Sequence, residues 1–206
     1  MPSSAPFFVP SFPDCWRPAC SPSSREPCFV TVRTRAAVRA DAPLMRQVEI
    51  TSGQRFREVG LDAIADDEPP PATVFEAYAA AGRAWVAVAP SSHVVGFVIV
   101  DMVDGAAHIE QVSVVPAHEG QGVGRALIDQ VRRWADKNGL SALTLTTFNY
   151  VPWNRPLYEH LGFRVLTAEE IGPGLRAVMA TEASHGLDPA SRVAMRKDID
   201  EADRRT

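Results

Sequence analysis

Three glycines at alternate positions, Gly120, Gly122 and Gly124, constrain this chain more than any other feature, because of what flanks them. Upstream, His108 to Val115 reads HIEQVSVV, in which Ile109, Val112, Val114 and Val115 lie among polar residues. β-Branched content with alternation predicts a strand. If that strand is regular, His108, Glu110, Val112 and Val114 share one face. Pro116 ends it. Downstream, Val123, Leu127, Val131 and Trp134 form one apolar stripe, with Asp129, Arg132, Arg133 and Asp136 mostly off it, which predicts an amphipathic helix stopped by Asn138-Gly139. The glycines let the turn between them take positive φ and approach a ligand, while the first turn of the helix leaves N–H groups without partners. Those groups and the helix dipole favour a bound phosphate.

Spacing decides which kind of phosphate loop this is. A nucleoside-triphosphate loop ends in Gly-Lys-Ser/Thr, and Gly124-Arg125-Ala126 stands here instead. A dinucleotide fingerprint needs glycine at 125 or 127, where Arg125 and Leu127 stand. What remains is Gln121-Gly122-Val123-Gly124-Arg125-Ala126, the pattern Q/R-x-x-G-x-G/A after a strand ending Val-x-Pro. In this the chain closely resembles the acyl-coenzyme A pyrophosphate loop of the GNAT family of N-acetyltransferases. Asn154, followed by Tyr158-x-x-x-Gly162-Phe163, is similar to a second motif of that family, at the expected distance after the loop.

The order of elements matches that fold as well. Phe29 to Arg35 alternates as a first strand. Asp41 caps a helix with Pro43 in its first turn, running to about Val59, and Ala72 to Ala81 forms another. Ala84 to Ala89 and Val94 to Val103 make an antiparallel hairpin, and Asp104-Gly105 turns into the central strand. Ala142 to Thr147 is a strand that the central helix delivers parallel to its neighbour. A short helix stopped by Gly162, a strand, a helix from about Gly174 to Gly186 and a closing strand Arg192 to Lys197 complete the domain. The expected class is α/β (α+β): a GNAT-like mixed, mostly antiparallel twisted sheet with a central strand-loop-helix and flanking helices.

Composition narrows the setting. With 206 residues there is room for one domain with a full core. A net charge of −4 gives no basic footprint, so no nucleic-acid partner is expected. No apolar run approaches a membrane span. Residues 1–28 hold seven of the 17 prolines and all three cysteines, Cys15, Cys20 and Cys28, without periodicity. They read as a disordered extension before a domain over 29–199 and a charged tail over 200–206. The extension lacks the charged start and unbroken apolar centre of a secretory signal, so a soluble cytoplasmic protein is expected. The histidines are dispersed, and His118-Glu119 lacks the second histidine of a zinc helix, so no metal is expected.

The resemblance implies a sheet that splays beside the central strand, with acetyl-coenzyme A as acetyl donor in the splay. Its pantetheine would bond Val112, Ser113 and Val114, and its pyrophosphate would sit on the loop from Glu119 through Gly120, Gln121, Gly122, Val123 and Gly124 to Ala126. Arg125 reads either as added charge or as an exposed helix arginine. Asn154 reads as a coenzyme A contact or a helix cap. An aliphatic amine with pKa ~10 must lose a proton before attack, so a base is needed. The resemblance implies a base at this point of the central strand, and Glu110 is the candidate, against a sheet residue paired with an arginine. His108, two residues away, reads equally as catalytic or as a half-buried strand histidine. The resemblance likewise implies that Tyr158 is the acid that protonates the departing thiolate, against a tyrosine packed on a helix. The acceptor is read as a small-molecule amine, met by Asp66-Asp67-Glu68 and the aromatic segment 148–153 or by neither. A protein lysine or N-terminus, and a non-catalytic acyl-coenzyme A-binding module, are the alternatives. The resemblance also allows a homodimer, with no surface singled out.

Overall fold

The computed structural model describes residues 32–199. The expected extension over 1–28, the start of the first strand and the tail over 200–206 lie outside them.

Among the described residues, seven strands form one sheet in the order β1-β2-β3-β4-β5-β7-β6. They are β1 Arg33–Ala36, β2 Ala84–Val88, β3 Val94–Val103, β4 Ala106–Val114, β5 Ala142–Phe148, β6 Arg164–Val165 and β7 Arg192–Asp198. All neighbours are antiparallel except β4 and β5, which the crossover through α4, Val123–Lys137, makes parallel. The mixed, mostly antiparallel sheet is the one expected.

One face of the sheet carries α4. Its Val123, Leu127, Ile128, Val131 and Ala135 are buried against Val98, Val100, Ala107 and Ile109. Each valine, leucine or isoleucine side chain so removed from water contributes roughly 1.5–3 kcal/mol, so this seam is a main source of stability. Trp134 turns partly outward and meets Trp85 edge-on at 5.9 Å. The short α5, Arg155–His160, joins the same core through Tyr158, Leu161 and Phe163. The opposite face carries α1, Ala42–Gly53, and α3, Ala72–Ala80, whose Met45, Val48 and Phe75 pack on Val86, Phe97 and Ile99. There α6, Pro173–Ser184, covers Ala194 through Leu175.

Three local expectations are corrected. The first helix is α-helical only to Gly53; it tightens into a 3-10 segment, Gln54–Val59, that ends at left-handed Gly60, and a single-turn α2, Asp62–Ala65, follows. Asp41 precedes α1, but its side chain makes no capping bond to that helix. Its carboxylate instead accepts from Arg35 at 2.6 and 2.8 Å and from the Val38 N–H at 2.8 Å. Lastly, β4 is not regular. Gln111 pairs with Ile99 and Ile109 with Val100, so Glu110 has no partner on β3 and bulges. A bulge reverses the alternation beyond it. Val112 and Val114 therefore face the α4 core with Ala107 and Ile109, whereas His108 faces the other side with Asp101.

Among the described residues no helix is long and apolar enough to cross a membrane.

Candidate active site

The pairing of β4 with β5 is brief. It runs from Ala107 opposite Leu143 to Ile109 opposite Leu145 and stops there. Glu110 is the next residue, and from Gln111 to Val114 the strand pairs with β3 alone. Its other edge has no strand partner among the described residues. An unpaired edge is a template for any extended chain that carries amide groups.

A cleft of about 750 Å³ opens along this edge. Its floor is Val112 to Val114. One wall is the loop from His118 to Arg125, and the other is the start and face of α5, including Asn154 and Tyr158. Pro116 starts a 3-10 turn, Pro116–His118, that lifts the chain off the sheet. Gly120 at φ 70° and Gly122 at φ 79° then reverse it, with open space where a Cβ would stand at either. The first helical bond of α4 is donated by the Ala126 N–H to the Gly122 carbonyl, so the N–H groups just before it have no helical acceptor. The shape, the open strand edge and the donor-rich loop together fit a long ligand with an amide arm and a phosphate group.

The loop and strand residues expected to meet the donor stand on this cleft, with two exceptions. Gln121 points away, its amide donating to the Ala117 carbonyl at 2.9 Å and so bracing the loop from outside. Ala126 lies behind the loop as that first helical donor. Asn154 occupies the N-cap position of α5, yet its side chain makes no capping bond there, and it lines the cleft. Arg125 lines it as well.

Glu110 stands outside the cleft wall, at the point where the two strands part. Its side chain is 44% exposed, lies 3.9 Å from His108 Nε2 and pairs with no arginine among the described residues. Desolvation at the strand junction, reinforced by Asp101 and Glu182 and opposed by Arg192, pushes its carboxyl above the ordinary value. His108 is buried, 1% exposed, with Nδ1 3.1 Å from Thr144 Oγ1. Burial lowers its pKa, so the ring is neutral at pH 7. Behind both lies an enclosed ion pair: Arg192 donates to Glu182 at 2.7 and 3.2 Å and to Thr146 at 3.0 Å, over the ring of Phe148. Tyr158 enters from the opposite face of the sheet, against Phe163 at 5.9 Å, and burial pushes its phenol up to about 12.

Sequence reasoning missed what α1 and the 3-10 segment bring. Ser52, Arg55 and Phe56 reach the cleft, and Phe56 joins Phe148, Trp153 and, through Phe148, Tyr150 in one aromatic cluster. One turn before Ser52, Glu49 buries Oε2 without a hydrogen-bond partner, and its carboxyl is raised by desolvation, with Gln111 on β4 opposing. An acid on an apolar-faced helix gives no signal of its own in sequence. The expected acidic loop is otherwise engaged: Asp66 pairs with Arg57, and Glu68 with Arg46 at 3.0 Å. Among the described residues no group of three or more His, Cys, Asp and Glu side chains could hold a metal.

The sequence matches the Acetyltransferase (GNAT) family over residues 53–163, and the protein belongs to that family. Solved structures agree on the fold. A GNAT-family acetyltransferase from Staphylococcus aureus Mu50 superposes with TM-score 0.63 at 14% identity, covering 82% of this chain and 100% of that one. PaiA N-acetyltransferase from Thermoplasma acidophilum, in complex with coenzyme A, gives 0.61 at 14% identity, covering 82% and 99%. A ribosomal-protein alanine N-acetyltransferase from Escherichia coli gives 0.57 at 18% identity, covering 82% and 94%.

Proposed function

We propose that the protein is an acetyl-coenzyme A-dependent N-acetyltransferase acting on the amine of a small molecule. The observation that carries this reading is the unpaired edge of β4, with the glycine loop at one end and Glu110 at the other. Val112, Ser113 and Val114 would hold the pantetheine arm, the N–H groups around Gly120 to Gly124 the pyrophosphate, and Asn154 a further polar contact. Acetyl-coenzyme A supplies an acetyl group already activated as a thioester.

The chain's own residues manage the protons. An ammonium of pKa ~10 must be deprotonated, and a carboxylate raised toward neutrality is a usable acceptor. Glu110 takes that proton. His108, neutral and fixed by Thr144, supports it from below. Tyr158 keeps its proton at neutral pH and is the donor to the departing thiolate. No covalent acyl-enzyme is needed, because holding the two reactants together supplies much of the rate enhancement.

On the acceptor side, the cluster of Phe56, Phe148, Tyr150 and Trp153 supports a small molecule rather than an extended peptide, since it sets bulky rings, Phe56 and Trp153 among them, at the cleft. Carboxylates at Glu49 and Glu110 with aromatic faces nearby suit a cationic amine.

The test is thiol release from acetyl-coenzyme A against a panel of polyamines, arylalkylamines, aminoglycosides, amino acids and lysine peptides. Turnover with one small-amine class is expected. Turnover with peptides alone would replace the small-molecule reading, and silence across the panel with coenzyme A still bound would point to a binding module.

A further inference from the structure

One cation bridges the mouth of the cleft. Arg55 belongs to the 3-10 segment after α1, on the acceptor face of the sheet, yet its guanidinium crosses to the donor loop. There Nη1 donates to Glu119, the residue directly before Gly120. The same guanidinium stacks on Trp153 at 4.1 Å from the ring centre, and its Nε lies 3.9 Å from Glu58. Arg55 and Glu119 are 30% and 32% exposed, and both line the cleft.

The placement of Glu119 is otherwise hard to reconcile with an anion site. A carboxylate beside a phosphate-suited loop repels the phosphate. It is also partly buried: desolvation is the largest influence on its carboxyl and raises it, with Arg55 opposing. Charges in such a place act on each other more strongly than in bulk water. A guanidinium can bridge two anions, because it carries five N–H donors in a planar fork.

We propose that Arg55 is a donor-binding residue: held across the cleft mouth by Trp153, it pairs with the pyrophosphate of coenzyme A seated on the Gly120–Gly124 loop and shields that phosphate from Glu119. The inference rests on the reading that this cleft holds coenzyme A. It adds a cation that the loop pattern does not contain, contributed by the acceptor-side segment, so donor binding and the position of Phe56 and Trp153 become linked.

The experiment is calorimetric titration of the full chain with coenzyme A and, separately, with pantetheine, which lacks the phosphates. The variants are Arg55→Met, which keeps an apolar stem over Trp153, Arg55→Lys, and Glu119→Gln, each checked for an unchanged circular dichroism spectrum. Arg55→Met is expected to weaken coenzyme A binding by about tenfold or more, as for other hydrogen bonds to charged groups. Arg55→Lys recovers part of that loss, and pantetheine binding stays within about twofold of wild type. Glu119→Gln is expected to tighten coenzyme A binding, since it removes the repelling charge and frees the guanidinium. Equal loss for coenzyme A and pantetheine in Arg55→Met, or weakening by Glu119→Gln as large as that by Arg55→Met, would overturn the proposal and reduce the pair to a structural brace. Wild-type affinity for coenzyme A in Arg55→Met would overturn it too. A wild-type chain that binds no coenzyme A would instead sink the cofactor reading itself.

Discussion

Replacing Arg192 by Met tests whether the ion pair behind the reaction site serves stability and chemistry at once. Glu182 and Arg192 are 19% and 11% exposed and share two hydrogen bonds, with Thr146 completing the set. Removing one member of a buried pair leaves the other charged and uncompensated, which costs about 3–5 kcal/mol. Residual exposure argues for the lower end, about 3 kcal/mol. For a domain of this size each kcal/mol moves Tm by about 2–4 °C, so a fall of about 6–12 °C is expected. The same change acts on Glu110. Arg192 holds the Glu110 carboxyl down and Glu182 pushes it up. A base works only when ionised, so kcat/KM falls as pH drops through the Glu110 pKa. Arg192→Met should therefore move this acid limb to higher pH, and Glu182→Gln should move it to lower pH. Thermal melts and pH–rate profiles of both variants check this. A Tm change under about 2 °C for Arg192→Met, or acid limbs that move the same way in both variants, would refute the reasoning.

Other expectations are more direct. Glu110→Gln should lower kcat/KM by about a hundredfold or more and abolish the acid limb while coenzyme A binding persists; an unchanged pH profile would remove the base assignment. Tyr158→Phe should slow thiol release by a similar factor, about a hundredfold, and wild-type release would take the phenol out of the scheme. Asp41, held below the usual carboxylate range chiefly by its hydrogen bonds from Arg35, contributes stability that is present above the ordinary aspartate pKa of ~3.9 and is lost as pH falls through its lower folded value. Asp41→Asn should thus destabilise by about 1–2 kcal/mol at pH 7, with the gap to wild type closing in acid melts. A gap independent of pH would contradict that account.

Much of the cleft can be read from residues, because it is local. The β4 strand, the glycine loop and α4 are contiguous, each with a period or a breaker that marks it, and Asn154 with Tyr158 through Phe163 repeats that situation. The acceptor side is assembled from afar. Arg55 meets Glu119, 64 positions on, and Phe56 meets Phe148; neither pair has a spacing rule. Glu110 was singled out from its place on β4, but its bulge was not, since nothing in HIEQVSVV distinguishes an irregular strand from an alternating one. Simple alternation therefore groups His108 with Val112 and Val114, which face the other side of the sheet. The 3-10 segment after Gly53 is likewise invisible, because its residues suit an α-helix.

The bulge makes Glu110 a frame-shift in the sheet. Every residue after it reads in the opposite phase, and Val112 and Val114 reach the α4 core only because one position goes uncounted. Exchanging the side chain at 110 leaves that phase intact. Deleting the position would turn both valines toward α1 and push Gln111 and Ser113 into the apolar seam. The chain can thus lose the chemistry of Glu110 and still fold, but it cannot lose the residue.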